Sequence, residues 1–155
     1  MHSISRPLTE AERTLAASVF GSAIDYDPVR IFRRKWFPFQ PRQTAMAPTG
    51  NIHLHPRGSL YSEDFAKDEP WRQALFIHEM THVWQAQKRG RWYLPLMRHP
   101  FCRYRYVLKP GQPFDRYGLE QQAEIVKHAF MLREGMKVPA APPLEQYRSV
   151  VPFPL

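Results

Sequence analysis

Residues 76–84 read FIHEMTHVW, and the reading of this stretch decides the fold. Apart from Glu79 it carries no charged residue, and it has no proline, so it can be buried and helical while holding two histidines and a glutamate. Positions i and i+4 of a helix share one face about one turn apart, so His78 and His82 can direct imidazole nitrogens at one ion. Glu79 lies beside that face, placed to take a proton from a metal-bound water. Outward from the motif, Asp68 as N-cap with Pro70 in the first turn starts the helix, which should continue to about Lys88 before Gly90. Trp71, Leu75, His78 and His82 then form a stripe that turns the histidines toward the core, with Trp84 packed and Gln85 at the surface. The plain alternative is two hydrogen-bonded core histidines and a surface glutamate. Metal is the better expectation, because one cation satisfies groups whose burial would otherwise need several separate hydrogen bonds.

A catalytic zinc takes three protein ligands and keeps one position open. Candidates for the third are Glu120, Glu124 and His128 on a later helix, His53 and His55 in a hairpin, and His99. In YGLEQQAEIVKHAFML, residues 117–132, Leu119, Ala123, Val126 and Phe130 make an apolar stripe with Glu120 and Glu124 immediately beside it. Glu120 suits a ligand there, and Glu124 either a ligand or a partner to a ligand histidine. Near a helix N-terminus both are also favoured as plain solvated carboxylates. Cys102 is the only cysteine, which excludes a disulfide framework and any site built from several thiolates. It reads as a small, at least half-buried side chain, since no base is paired with it by sequence.

The chain has 155 residues, enough for one domain over 1–155 and too few for two comfortable cores. With 43% hydrophobic and 23% charged residues and no long apolar run, it is neither disordered nor membrane-spanning. Thr9 with Glu12 makes a capping box for a helix to about Phe20, stopped by Gly21. Val29–Arg33 reads as a short strand, and TAMAPTGNIHLH, residues 44–55, as two strands joined by a turn, giving a small, mainly antiparallel sheet. Residues 91–114, with four prolines, read as an irregular connection containing at most a strand at 103–107. A second strong helix should run from near Asp115 to Arg133. The proline-rich tail, 138–155, should wrap the surface with a short helix at Leu144–Arg148, and could cover the site. The fold class is therefore α+β.

The formal net charge is +8, unevenly spread. Residues 30–42 hold five basic side chains and 88–109 hold seven, neither with an acid, leaving ten basic against fourteen acidic residues elsewhere. Both segments are rich in aromatics. The N-terminus shows no secretory signal, so the default location is cytoplasmic, with export by a route needing no such signal as the other course.

The motif from His78 to His82, followed by a glutamate on a second helix, resembles the gluzincin branch of zinc metallopeptidases. More closely, TAMAPTGNIHLHP, HEMTHVWQ and YGLEQQAEIV are similar to short HExxH domains of bacteria, found alone or joined to type VI secretion and toxin proteins and often labelled Vgr-related. The resemblance covers about residues 29–134. It implies a small zincin-like domain with one Zn2+ per chain on His78, His82 and Glu120, and Glu79 as general base. It also implies a substrate strand near Asn51–His55. The interval from His82 to Glu120 is longer than in thermolysin, no Asn precedes Glu120, and Glu124 stands where the supporting acid is usually Asp, so Glu120 and Glu124 remain alternatives for the third ligand. The implied reaction is amide hydrolysis by a zinc-activated water, with oxyanion donors sought among His53, Tyr117 and Tyr147, and His55 as a further substrate contact. Its partner would be a peptide or protein, acidic or phosphate-bearing if the basic segments border the cleft. The competing classes are a non-catalytic zinc-containing module attached to a secretion or toxin system, and a basic nucleic-acid-associated protein using the aromatic-rich cationic segments.

Overall fold

Prolines and short apolar runs leave little room for long strands, and the computed structural model, which describes residues 4–97 and 102–155, has only three short ones. They are β1 (Ser5–Pro7), β2 (Arg30–Phe32) and β3 (Ile52–His53). β1 pairs antiparallel with β2, Ser5 opposite Phe32, while β2 and β3 run parallel with Ile31 opposite Ile52. The sheet is thus mixed: most pairings are antiparallel, as expected, and the parallel pairing of β2 with β3 is the departure. The expected hairpin over 44–55 contracts to one antiparallel bridge, in which Met46 N–H donates to the His53 carbonyl at 3.0 Å and His53 N–H to Met46 at 2.7 Å. Two side-chain features hold this bridge in place. The buried Gln40 amide donates to the carbonyls of Thr44 and His53, at 2.8 and 3.1 Å. A Cβ on Gly58 would stand 1.9 Å from the Arg42 carbonyl oxygen, so the 40s loop can close on that position only if it is glycine.

Helix α1 (Glu10–Phe20) begins with the expected capping box at Thr9 and Glu12 and ends at Gly21, which has φ 56°. Helix α2 (Pro70–Arg89) carries the HEMTH motif. Its cap position is Glu69 and not Asp68, whose carboxylate instead accepts from Glu69 N–H (2.7 Å) and from the Ser62 hydroxyl (2.7 Å). Trp71, expected on the core stripe, is 46% exposed because the first turn lies outside the core; its indole N–H donates to Glu69. From Phe76 to Val83 every residue is buried, as in a helix packed on all sides.

Residues 91–114 contain a helix, α3 (Tyr93–Met97), and no strand at 103–107. Phe114–Arg116 is a separate 3-10 turn, so α4 (Leu119–Arg133) starts after its cap residue Gly118 and not near Asp115. α4 packs along α2. The tail departs most from expectation. After α5 (Leu144–Val150), Val151, Phe153 and Leu155 alternate with Pro152 and Pro154 and are buried, with Phe153 ringed by Phe20, Trp84 and Phe114 at 4.9, 4.9 and 6.1 Å. Prolines bar these residues from a ladder, but an extended chain still turns alternate side chains inward. Each such burial contributes about 1.5–3 kcal/mol.

A second anchor is Glu12, fully buried. Its carboxylate accepts from both Arg6 guanidinium nitrogens (2.9 Å each), from Thr9 N–H (2.9 Å) and from Phe65 N–H (2.9 Å). It ties β1, α1 and the turn at Phe65–Lys67 together.

Candidate metal centre

The core-facing side of α2 meets the first turn of α4, and there three side chains converge. His78 Nε2 and His82 Nε2 lie 3.3 and 3.1 Å from the same Glu120 oxygen, Oε2. All three residues are buried, and one ligand atom from each lies within 4.8 Å of the others. Donors about 2.0 Å from one tetrahedral ion stand about 3.3 Å apart, so the group could hold a metal ion.

The hydrogen-bond chain behind His82 fixes its tautomer. The Gln122 amide N–H2 donates to the carbonyls of Tyr117 (3.0 Å) and Phe114 (3.3 Å), so its Oε1 is the acceptor facing Gln85. Gln85 Nε2 donates to that oxygen (2.9 Å) and to the Leu119 carbonyl (3.0 Å), which turns Gln85 Oε1 toward His82 Nδ1 at 2.8 Å. An amide oxygen only accepts, so the proton of His82 sits on Nδ1. In neutral imidazole, Nε2 is then a bare lone pair pointing at a carboxylate oxygen. That pair of acceptors is stable only with an additional proton or a cation between them. Without a metal the proton takes this place: burial disfavours charge on His82, but its contacts with Glu120 outweigh burial and raise its pKa. Glu120 shows the reverse. Burial would push its pKa up, yet the hydrogen bonds from His78 and His82 hold it well below the usual carboxylate range.

Behind His78 stands Glu124, its Oε1 3.6 Å from His78 Nδ1 and its Oε2 bonded to Lys127 at 2.7 Å, with His128 Nε2 at 3.3 Å. His128 Nδ1 in turn meets the Tyr106 hydroxyl at 2.6 Å, and Tyr106 meets the Tyr147 hydroxyl at 2.7 Å. Tyr104 stacks on the His78 ring, centroids 6.3 Å apart. Glu79 is buried, and its Oε2 has no hydrogen-bond partner among the described residues.

Comparison with known proteins adds the lineage. The effector domain of Pseudomonas aeruginosa VgrG2b superposes with a TM-score of 0.73 at 34% identity, over 93% of this chain and 80% of that one. The chain belongs to the VgrG2b effector-domain family. It is also 39% identical over 135 residues, 81% of its length, to the type VI secretion system spike protein VgrG2b of the same organism; that match spans 13% of the spike protein. No protein-family model matches.

In this VgrG2b-family domain the other expected site residues fall elsewhere. His53 is half-buried and stacked on Phe32 (4.8 Å), and burial drives its pKa down to about 4. His55 is half-buried, its Nδ1 accepting from Arg57 N–H. Neither belongs to the metal group, because the Met46 bridge occupies the edge of β3; the pocket touching His82 and Glu120 is bordered instead by Ala47 and Pro48. The Tyr117 hydroxyl accepts from Lys109 N–H, and that of Tyr147 is bound to Tyr106. His99 lies outside the described residues. The five cations of 30–42 line neither cavity that touches Glu120. Gln85, expected at the surface, is the residue sequence reasoning missed. Its position three residues after His82 on one helix was the available signal. Among the described residues no helix is long and apolar enough to cross a membrane.

Proposed function

We propose that the chain is the effector portion of a type VI secretion-linked protein, exported with that machinery, and hydrolyses amide bonds using a zinc ion held by His78, His82 and Glu120. The observation carrying the metal reading is His82 Nε2 set 3.1 Å from Glu120 Oε2, a contact that calls for a proton or a cation, on an imidazole whose other nitrogen is locked as donor by Gln85. Likeness to an effector domain supports the secretion-linked part. The ion would supply Lewis acidity, lowering the pKa of water at its open position and polarising a substrate carbonyl.

The remaining work belongs to the chain. Glu79, next to His78 on α2, holds a buried carboxylate oxygen without a donor, the condition of a base ready to accept a proton from water and return it to the leaving amine. Gln85 orients His82, and Glu124 faces His78. The chain at Ala47, just past the Met46 bridge, offers an edge along which an extended substrate can lie. A second reading keeps the ion and drops the chemistry: a non-catalytic zinc-containing interaction module, favoured by the burial of all three ligands. Elemental analysis and peptide hydrolysis distinguish them. Near-stoichiometric zinc lost in Glu120→Ala, with hydrolysis reduced about 100-fold or more in a zinc-retaining Glu79→Gln, is the expected result. Protein that takes up no zinc removes the proposal, and indifference of toxicity to Glu79→Gln selects the second reading.

A further inference from the structure

A cavity of about 530 Å³ opens beside the metal group, within the range of ligand-binding clefts. Its lining includes Gln85 and Glu120. It shares Cys102, Leu119 and Glu120 with the small pocket that reaches His82 and Ala47, so the two adjoin the same ligand. The lining also includes Lys88 and Arg89 from the last turn of α2 and Arg103 from the connection that follows α3. Two separate chain segments therefore bring three cations to one cleft, against a single acid, Asp115, apart from Glu120 itself.

None of the three cations has an ion-pair partner among the described residues. Lys88 Nζ sits 4.9 Å above the Trp84 ring, and the Arg89 guanidinium 5.5 Å from the Tyr93 ring. Such ring contacts hold the cationic heads against the wall and leave their N–H donors for an anion. Basic residues in a last helical turn are ordinary partners of the helix dipole. That account does not cover Arg103, which comes from another segment and faces the same space.

We propose that this cleft is a subsite for an acidic side chain, aspartate or glutamate, of a peptide whose neighbouring carbonyl lies at the metal group. The inference rests on the peptidase reading above for its substrate class. A peptide is favoured over a nucleic acid because the cleft also carries the carboxylates Asp115 and Glu120, which would repel a run of backbone phosphates but leave room for one acidic side chain among the cations.

The test uses the full chain carrying Glu79→Gln and loaded with zinc, so that peptides bind without turnover. Fluorescein-labelled octapeptides that differ only in carrying Glu, Gln or Lys at one scanned position are titrated by fluorescence anisotropy at low and high salt. At one position Glu should bind about tenfold tighter than Gln, and the gap should shrink as salt rises. Lys88→Glu with Arg103→Glu should reverse the order to favour Lys, with zinc content and thermal midpoint unchanged. Should that pair misfold, Arg89→Ala and Arg103→Ala singly should each lower the Glu preference about threefold. Equal affinity for Glu and Gln peptides at every position, a preference that survives charge reversal, or tighter binding of a labelled single-stranded oligonucleotide overturns the proposal. The hydrolysis reading is scored separately with the parent protein: selective binding without cleavage removes that reading and leaves the subsite, whereas cleavage without selectivity does the opposite.

Discussion

The chain buries two carboxylate clusters, and they are built in opposite ways. Around Glu12 each demand is met: four donors from Arg6, Thr9 and Phe65 surround one carboxylate, each at 2.9 Å. Around Glu79 and Glu120 the demands are met unevenly. Glu79 Oε2 has no hydrogen-bond partner among the described residues, while Glu120 is held by His78 at 3.3 Å and His82 at 3.1 Å, a contact that needs a proton or a cation between its atoms. Both clusters lie in the same small core at similar depth, so burial alone does not separate them. Saturation does. A fully paired buried charge is costly to break and holds elements together, whereas an underpaired one is a cost that persists where function uses it.

Three measurements can break or sharpen this contrast. The largest effect is expected at the saturated cluster: Glu12→Ala should lose about 3–5 kcal/mol in urea unfolding, because it strands the half-buried Arg6 and two backbone N–H groups. Glu79→Gln should shift stability by less than about 1 kcal/mol, or raise it, since little is paired there to lose. Comparable losses at both positions would erase the distinction. Next, Gln85→Ala should weaken zinc binding about 10- to 100-fold by chelator competition while the fold is kept, because His82 loses the acceptor that fixes its tautomer. Unchanged affinity would mean the chain from Phe114 through Gln122 and Gln85 does not tune the ligand.

The smallest effect concerns His53, whose Nδ1 is buried without a partner among the described residues. Its folded pKa, about 4, lies below the ordinary histidine value, so the unfolded chain takes up the proton first as pH falls. Stability should therefore decline between about pH 6.5 and 4, by roughly 1–2 kcal/mol after discounting for partial exposure, and be complete above that window. Unfolding curves across this range should flatten in His53→Gln. A slope that persists there assigns the loss to other groups.

What the sequence made legible was local. The i, i+4 spacing of His78 and His82, the Thr9–Glu12 capping box and the apolar stripe of α4 each depend on residues within one or two turns, and all three occur in the structure. Glu120 beside that stripe was legible for the same reason, and Glu124 does face His78. Features set by distant partners were not. β1 is three residues long and ends in proline, so nothing in Ser5–Pro7 announces a strand until β2 is beside it. Val151, Phe153 and Leu155 look like ordinary residues of a proline-rich tail until Phe20 and Trp84 supply a surface for them. Gln85 reads as a surface residue because its role exists only when α4 brings Gln122 and the Leu119 carbonyl to it. The two basic segments look equivalent in sequence, and only the placement of Lys88, Arg89 and Arg103 in the cleft that Glu120 lines separates them.

The central turns of α2, buried from Phe76 to Val83, have a consequence for how such a domain can diverge. Core packing and ligand placement draw on the same eight residues, so few changes there can alter chemistry without also disturbing folding. The connection around Arg103 and the segment at Ala47 and Pro48 border the same centre from outside that helix. Descendants of this architecture can therefore keep one motif nearly frozen while its borders vary. Relatives with little in common along those borders would still share the group of two histidines and a glutamate.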